Sequence, residues 1–474
     1  MKKLNELYDC PYDVEIKAVK INSKQVEPGD IFVCTMGVTA DRHDFIDEAI
    51  ENGAAAIVVS KDVGEKSVPV IKVDNTNKEL FYVAGKLYDF PQKELEMIGV
   101  TGTNGKTSVA EIIHQLLGDT CAYLGTNGKK YKNHIESIRN TTPDVDRLYM
   151  YFREFLDNGC KSLVMESSSE AMYWHRLDDI PYDICILTNI TEDHLNIHKT
   201  LENYIDCKAR LFSLVKEDGY SILNSGSKYL EKVKEYAKGH ILTYGFKEDD
   251  DLYIKSYTEG KTLDIDFVYK DKEYLVKSPL HGDFNVINIA AALLTCIVRG
   301  EKIEEILPRI ENLKQIEGRF EVLDFNQDYT IILDYAHTTD AFNNILPVLN
   351  KMKKNRLITL TGSAGGREKE KRPSMGSTVL NNSDFVVFTM DDPRYENVSD
   401  IIDDLISTSK DKTNYVRIND RVEAIHYAFD HAEKGDIVLI AGKGRDDYMA
   451  IEDKYLPYCD YDEIVKYFEN KKHA

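Results

Sequence analysis

Gly99-Val100-Thr101-Gly102-Thr103-Asn104-Gly105-Lys106-Thr107 is the stretch that decides how the rest of the chain is read. Upstream, Met97, Ile98 and Val100 read as a buried strand; downstream, Val109, Ile112, Ile113, Leu116 and Leu117 recur at helical spacing. A strand that enters a glycine turn and leaves as a helix forms a phosphate cradle. Backbone N–H groups and the helix N-terminus face an anion, Lys106 reaches terminal phosphates, and the Thr107 hydroxyl is suited to Mg²⁺. The strict pattern has glycine five places before Gly105, where this chain has Val100, so the loop is a variant. The bland alternative is an ordinary glycine-rich turn with an exposed lysine. Gly-Lys-Thr at a strand-to-helix junction favours the nucleotide site.

A chain of 474 residues is too long for one core and predicts about two to four domains. With 42% hydrophobic and 30% charged residues, the composition is that of a globular protein. A net charge of −21 excludes a broad polyanion-binding surface, so no nucleic-acid partner is expected, while a small anion in a local cradle remains compatible. Met1 to Glu6 has no apolar segment, and the apolar run around Ile289–Val298 is too short to span a bilayer. Eight scattered cysteines without a C-x-x-C pair read as buried free thiols. The expectation is a cytoplasmic protein without membrane insertion, and a monomer.

Residues 1–92 predict a small α/β domain of short strands with one helix, over Asp44–Asn52, followed by a linker at Pro91-Gln92-Lys93-Glu94. From 93 onward, apolar strands run into polar clusters: Ser162–Met165 into Glu166, and Ile184–Leu187 into Thr188-Asn189 and on to Asp193-His194. Residues 218–283 read as an antiparallel edge, and Phe284–Val298 as a helix carrying Asn285 and Asn288. Ile316-Glu317-Gly318-Arg319 reads as a hinge. Beyond it, four strands end in Asp334-Tyr335-Ala336-His337, Gly362 to Arg367, Asp391-Asp392-Pro393-Arg394, and Gly442 to Asp446. In open parallel sheets the carboxyl ends of strands border one crevice. The pattern predicts a second doubly wound domain facing the first across that crevice, from 319 to 474, with the central domain at 93–318.

Phosphoryl transfer needs a phosphate loop, a metal bridging phosphate oxygens, and ligands for that metal. Thr107, Glu166 and His194 are the candidates, each at a strand end. Lys208 falls on the apolar side of an amphipathic stretch with Tyr204, Leu211 and Phe212. A lysine there is either a snorkelling side chain or an amine converted to an anionic carbamate able to ligate the metal.

Gly102 to Thr107, Asn189-Ile190-Thr191-Glu192-Asp193-His194-Leu195, Phe284-Asn285 with Asn288, Gly318-Arg319, Asp334-Tyr335-Ala336-His337 and Gly442-Lys443-Gly444 together resemble the Mur ligase family of ATP-dependent amide-forming enzymes. The resemblance runs in order over essentially the whole chain. Asn140-Thr141-Thr142-Pro143, the segment around Lys208, and Asp391 to Arg394 resemble those members that add the third residue of the peptidoglycan peptide. It implies α/β architecture in three domains: a small N-terminal domain, a central P-loop ATPase-like parallel sheet and a C-terminal Rossmann-like domain.

The resemblance further implies ATP on Gly102, Thr103, Asn104, Gly105, Lys106, Thr107 and Ser108, with Asn285, Asn288, Arg319 and Asp334 framing base and ribose. Mg²⁺ would be held by Thr107, Glu166 and His194, with Lys208 as a carbamate. Ser23 would hold the UDP end of UDP-N-acetylmuramoyl-L-alanyl-D-glutamate, and Thr141, Thr142, Ser168 and Arg176 its muramoyl-peptide. Arg367, Asp391, Asp392, Arg394, Gly442 and Asp446 would take the incoming diamino acid. Two arginines favour meso-diaminopimelate, with L-lysine as the alternative. The chain departs from the family's usual residues at Glu170, Trp174, Asn196, Asp392, Arg445 and Asp446. A reading from another class is a P-loop switch that makes no bond; phosphate release requiring both an amino acid and the muramoyl-dipeptide separates the two.

Overall fold

The computed structural model describes residues 1–37, 40–367 and 369–473. Three main sheets follow one another along the chain. The first pairs Val19–Lys20, Ile31–Val33, Ala56–Val59 and Val70–Lys72 in parallel. It carries more than the one expected helix. Besides Ile46–Glu51, a helix runs over Thr76–Leu87, capped by the Asn75 side chain and burying Leu80, Val83, Ala84 and Leu87. Gly85 in its last turn blurs the helical signal; the Phe90 ring lies 2.6 Å from where a Cβ would stand there.

The expected linker is not loose. Pro91–Lys93 is a short 3₁₀ turn in which Gln92 is fully buried and donates to the Tyr149 hydroxyl at 3.1 Å. Leu80 and Val83 share a continuous core with Val145, Leu148 and Phe152 of the next unit. The first unit is therefore fused to the second by apolar packing.

The second sheet has eleven strands, and its centre is parallel. Glu96–Thr101 lies between Ser162–Glu166 and Tyr182–Leu187, the point where strand order reverses. Helices Lys106–Leu117 and Phe284–Val298 cover one face with Val109, Ile112, Ile113, Ile289 and Leu293; Val145–Asp157 and Leu201–Arg210 cover the other. The antiparallel edge expected over 218–283 is shorter: Val215–Asn224, His240–Gly245 and Leu252–Glu259 continue the parallel order, and only Leu252–Glu259, Leu263–Tyr269 and Lys272–Ser278 pair antiparallel.

After Gly318, whose φ of 66° suits the turn, a six-stranded sheet follows. Thr330–Asp334, Ile437–Ala441, Leu357–Thr361, Phe385–Phe388 and Tyr415–Arg417 are parallel, with Glu321–Leu323 antiparallel at one edge. Helices cover both faces. No helix among the described residues is long and apolar enough to cross a membrane.

Candidate active site

The carboxyl ends of the second and third sheets enclose one crevice of about 1080 Å³, lined by the phosphate loop, Glu166, His194 and Lys208 on one side and Asp334, Arg394 and Asp446 on the other. The phosphate loop is stitched to the neighbouring strand end. Thr103 N donates to Asn189 O at 2.8 Å, Asn104 N to Asn189 Oδ1 at 3.0 Å, and Thr188 Oγ1 to Asn104 O at 2.5 Å. Gly102, at φ 152°, is required there: a Cβ would meet Thr188 Oγ1 at 1.9 Å.

Two lysines converge on this loop. Lys106 Nζ donates to the carbonyls of Gly102 at 2.9 Å and Thr103 at 2.8 Å, and Lys208 Nζ to Gly102 O at 2.6 Å. Lys208 is 1% exposed. Burial, then repulsion from Lys106, pushes its pKa well below the ordinary lysine value. Lys106 is lowered too, by burial and by Arg319, against the attraction of Glu166 and Asp193. Two lysine nitrogens crowded on one carbonyl disfavour carrying both positive charges at once.

Glu166 is fully buried and saturated with neutral donors. Oε1 accepts from the Tyr123 hydroxyl at 2.7 Å and Thr126 N at 2.8 Å; Oε2 accepts from Thr107 Oγ1 at 3.0 Å and Thr126 Oγ1 at 3.2 Å. Tyr123 and Thr126 escape the sequence reading, because Tyr123 sits in an apolar strand and reads as core. The only signal was the polar turn Thr126-Asn127 that follows. Arg319 Nη2 donates to Thr107 Oγ1 at 2.9 Å and lies over the Tyr335 ring.

His194 stands at the crevice wall, 3.5 Å from both Glu170 and Asp193. Burial, with repulsion from Lys208, Lys106 and Arg367, lowers its pKa to about 4 in spite of Asp193. Its ring is thus a neutral imidazole near pH 7, the form that ligates metals. Asp193 itself, although buried, is held below the usual carboxylate range by His194 and Lys371.

A hydroxyl, a carboxylate and a neutral imidazole beside a phosphate loop fit Mg²⁺, which takes few protein ligands and completes its shell with phosphate and water. The described residues hold no group of three or more His, Cys, Asp and Glu that would form an all-protein cage. As the free amine seen here, Lys208 is a donor and ligates nothing; only a carbamate would.

The residues assigned to the nucleotide are near one another. Asn288 Nδ2 donates to Asn285 Oδ1 at 3.0 Å, and Asn288 Oδ1 approaches the loop at Gly105. Asp334 spends one oxygen on Phe320 N and the other on Ala336 N, both at 2.7 Å. Ser108 is buried in the first turn of the loop helix.

Beside Glu166, Thr142 Oγ1 donates to Glu166 O at 2.6 Å and accepts from Ser168 N at 3.0 Å; Ser168 Oγ caps the next helix. Thr141 faces Thr126 at 3.1 Å, and Arg176 reaches Thr142 O and pairs with Asp144 at 2.6 Å. Ser23 lies in a second cavity of about 760 Å³ between the first and second units, which adjoins the crevice along Ser137, Ile138, Arg139 and Asn140, and its hydroxyl donates to Glu48.

On the far side, Lys443 bonds Asp392 Oδ1 at 2.9 Å and Asp446 Oδ2 at 3.4 Å, and Ala450 N donates to the same Asp392 oxygen at 2.9 Å. Asp391 and Gly442 share this wall, with Gly442 N donating to Asp334 O at 3.1 Å. Arg394 has a buried Nε without a partner and lines the crevice, while Arg367 lies exposed at its rim. Arg445 binds Glu321 and stacks on Tyr461. Trp174 packs edge-on against Tyr173.

Models described as the Mur ligase family catalytic domain, the Mur ligase middle domain and the Mur ligase glutamate ligase domain match residues 15–90, 100–296 and 318–444. The chain is 36% identical over 484 residues to the UDP-N-acetylmuramoyl-L-alanyl-D-glutamate–2,6-diaminopimelate ligase of Bacillus cereus, covering 98% of each chain. It is 37% identical over 457 residues to the enzyme of the same name from Fusobacterium nucleatum, covering 94% and 93%. A solved structure with that enzyme name superposes over 100% of both chains with a TM-score of 0.67 at 27% identity. The MurF ligase of Thermotoga maritima in complex with ADP shares the fold, with a TM-score of 0.68 at 22% identity over 100% of both chains.

Proposed function

Because this chain belongs to the Mur ligase family, we propose that it joins a diamino acid, meso-diaminopimelate, to UDP-N-acetylmuramoyl-L-alanyl-D-glutamate at the expense of ATP, releasing ADP and phosphate. The observation that carries this is the crevice itself. It sets a phosphate loop with Glu166 and Thr107 opposite a wall carrying Asp391, Arg394 and Asp446. A nucleotide switch has no use for that wall.

A carboxylate is a poor electrophile, so its oxygen first attacks the γ-phosphorus of ATP; ADP leaves and an acyl phosphate remains. The neutral amine of the acceptor then adds to the acyl carbon, loses a proton, and the adduct expels phosphate. Lys106 offsets the charge gathered where nucleotide and carboxylate meet. Thr142, Ser168 and Arg176, beside Glu166, hold the dipeptide in place. Thr107, Glu166 and His194 would hold Mg²⁺, which would supply neutralisation of phosphate charge. A neutral amine reacts with CO₂ and releases a proton to solvent, and burial with repulsion from Lys106 shifts Lys208 toward that neutral form. As a carbamate it turns repulsion from Lys106 into attraction and gains the capacity to ligate the metal. The UDP end lies in the cavity at Ser23. The three domains run 1–92, 93–318 and 319–474, in the cytoplasm.

Asp392 replaces a neutral residue usual in the family, and a free carboxylate there would welcome a lysine ammonium. Lys443 and Ala450 N already use it. The Arg394 fork thus remains the recognition element, and a second carboxylate on the acceptor is what it fits. Steady-state kinetics with meso-diaminopimelate and L-lysine test this: kcat/KM favours diaminopimelate, and a preference for lysine rejects the acceptor assignment. Arg394→Ala should cost diaminopimelate roughly 2 kcal/mol of kcat/KM and lysine less.

A further inference from the structure

The loops carrying Arg367 and Arg394 form one block. Gly365 N donates to Asp392 O at 3.0 Å, and Gly366 N to Glu396 Oε1 at 2.6 Å. A Cβ on Gly365 would stand 1.9 Å from Pro393 O, so only glycine permits this approach. The Arg394 side chain passes beside Gly366, its Cδ 3.7 Å from the position of a Cβ there. Behind both loops lies Arg372, 1% exposed. Its Nη1 donates to Glu396 Oε2 at 2.9 Å and Asp404 Oδ2 at 2.8 Å; its Nη2 donates to Glu396 Oε1 and Ala364 O, both at 3.1 Å. Lys369 adds a further contact to Glu396 at 2.9 Å. The segment held this way is strained: Asp392 and Arg394 have φ of 42° and 51°, which non-glycine residues keep only under external constraint.

We propose that Glu396, seated on Arg372, is a positioning residue for acceptor selection. It locks the loop of Arg367 to the loop of Arg394, so the spacing of the two guanidinium forks is fixed before the acceptor arrives. An acceptor is then chosen by whether its charged ends span that spacing. Glu396 acts through the two loops and its own carboxylate is already taken up by Gly366, Lys369 and Arg372. The inference rests on the reading that this wall binds the acceptor.

Glu396→Gln in the full chain tests it, because the amide keeps an oxygen for Gly366 N and removes the charge that holds Arg372. Wild-type kinetics come first: failure to use meso-diaminopimelate there rejects the acceptor reading and not the brace. With the wild type active, the variant should raise KM for diaminopimelate about tenfold and leave KM for ATP and the UDP-dipeptide within about twofold. The ratio of kcat/KM for diaminopimelate over lysine should fall with it. An unchanged acceptor KM, or equal rises in all three KM values, overturns the proposal. If Glu396→Gln does not fold, Glu396→Asp keeps the charge but withdraws it by one methylene. The same acceptor-specific rise is expected there, and its absence is equally decisive.

Discussion

Lys106 and Lys208 share the Gly102 carbonyl, an arrangement that makes sense when phosphate oxygens take over Lys106. Lys106→Ala removes that charge, and Glu166→Ala empties the centre of a four-donor cage. Each should lower the rate of ADP formation by on the order of a hundredfold or more. Wild-type turnover in either variant would show the site misplaced. Lys208→Ala should be inactive, with partial recovery in short-chain carboxylates if a carbamate is the working form. Carbon NMR with labelled bicarbonate reads the adduct directly, and a free amine in a fully active enzyme rejects it. Most of these residues were legible in the sequence, since the chemistry of Gly-Lys-Thr and of Asp193-His194 is local. Tyr123 and Thr126 were not. Their role depends on which strand lies beside Glu166, and that is a fact of sheet order.

Among the elements, the loop pair behind Arg394 carries a pH signature. Hydrogen bonding from Arg372, with help from Gly366 N and Lys369, lowers the Glu396 pKa from 4.5 to about 2. A depressed carboxylate stabilises the fold above its unfolded pKa, and the contribution is lost as pH falls through the folded value. Glu396→Gln should therefore melt below the wild type near pH 7, and the gap should close between about pH 4.5 and pH 2. A gap independent of pH would mean that the brace is not ionic. The helix Phe284–Val298 and the strands flanking the polar clusters follow their periodicity closely. Thr76–Leu87 does not announce itself, because Gly85, which leaves room for the Phe90 ring, blurs its signal. The tight packing of Pro91 to Glu94 is hidden for a related reason. Polar residues next to a proline look like a connection, and nothing local reveals that Gln92 is bonded to Tyr149.

At the scale of the molecule, contacts cross from the third sheet to the phosphate loop. Asp340 Oδ2 accepts from Asn104 Nδ2 at 2.5 Å and Thr191 Oγ1 at 3.1 Å, and Lys371 pairs with Asp193 at 3.1 Å. Closure of the C-terminal unit onto the central one is expected to follow ligand binding. Asp340→Ala should enlarge the radius of gyration of the ligand-free protein, and an ATP analogue with both substrates should contract it. Scattering that changes in neither case would contradict a closing crevice. Strand-end clusters on either side of Gly318 made the two facing sheets readable, whereas Asp340 and Lys371 lie on helix starts and were invisible as partners.

The central claim is that ATP cleavage is coupled to amide formation across this crevice. The direct measurement is ADP release together with the mass of the UDP-linked product, with each substrate omitted in turn. Sustained turnover should require both UDP-N-acetylmuramoyl-L-alanyl-D-glutamate and meso-diaminopimelate, giving one UDP-tripeptide per ADP. Sustained ADP release with neither present, and no ligated product, would contradict the account.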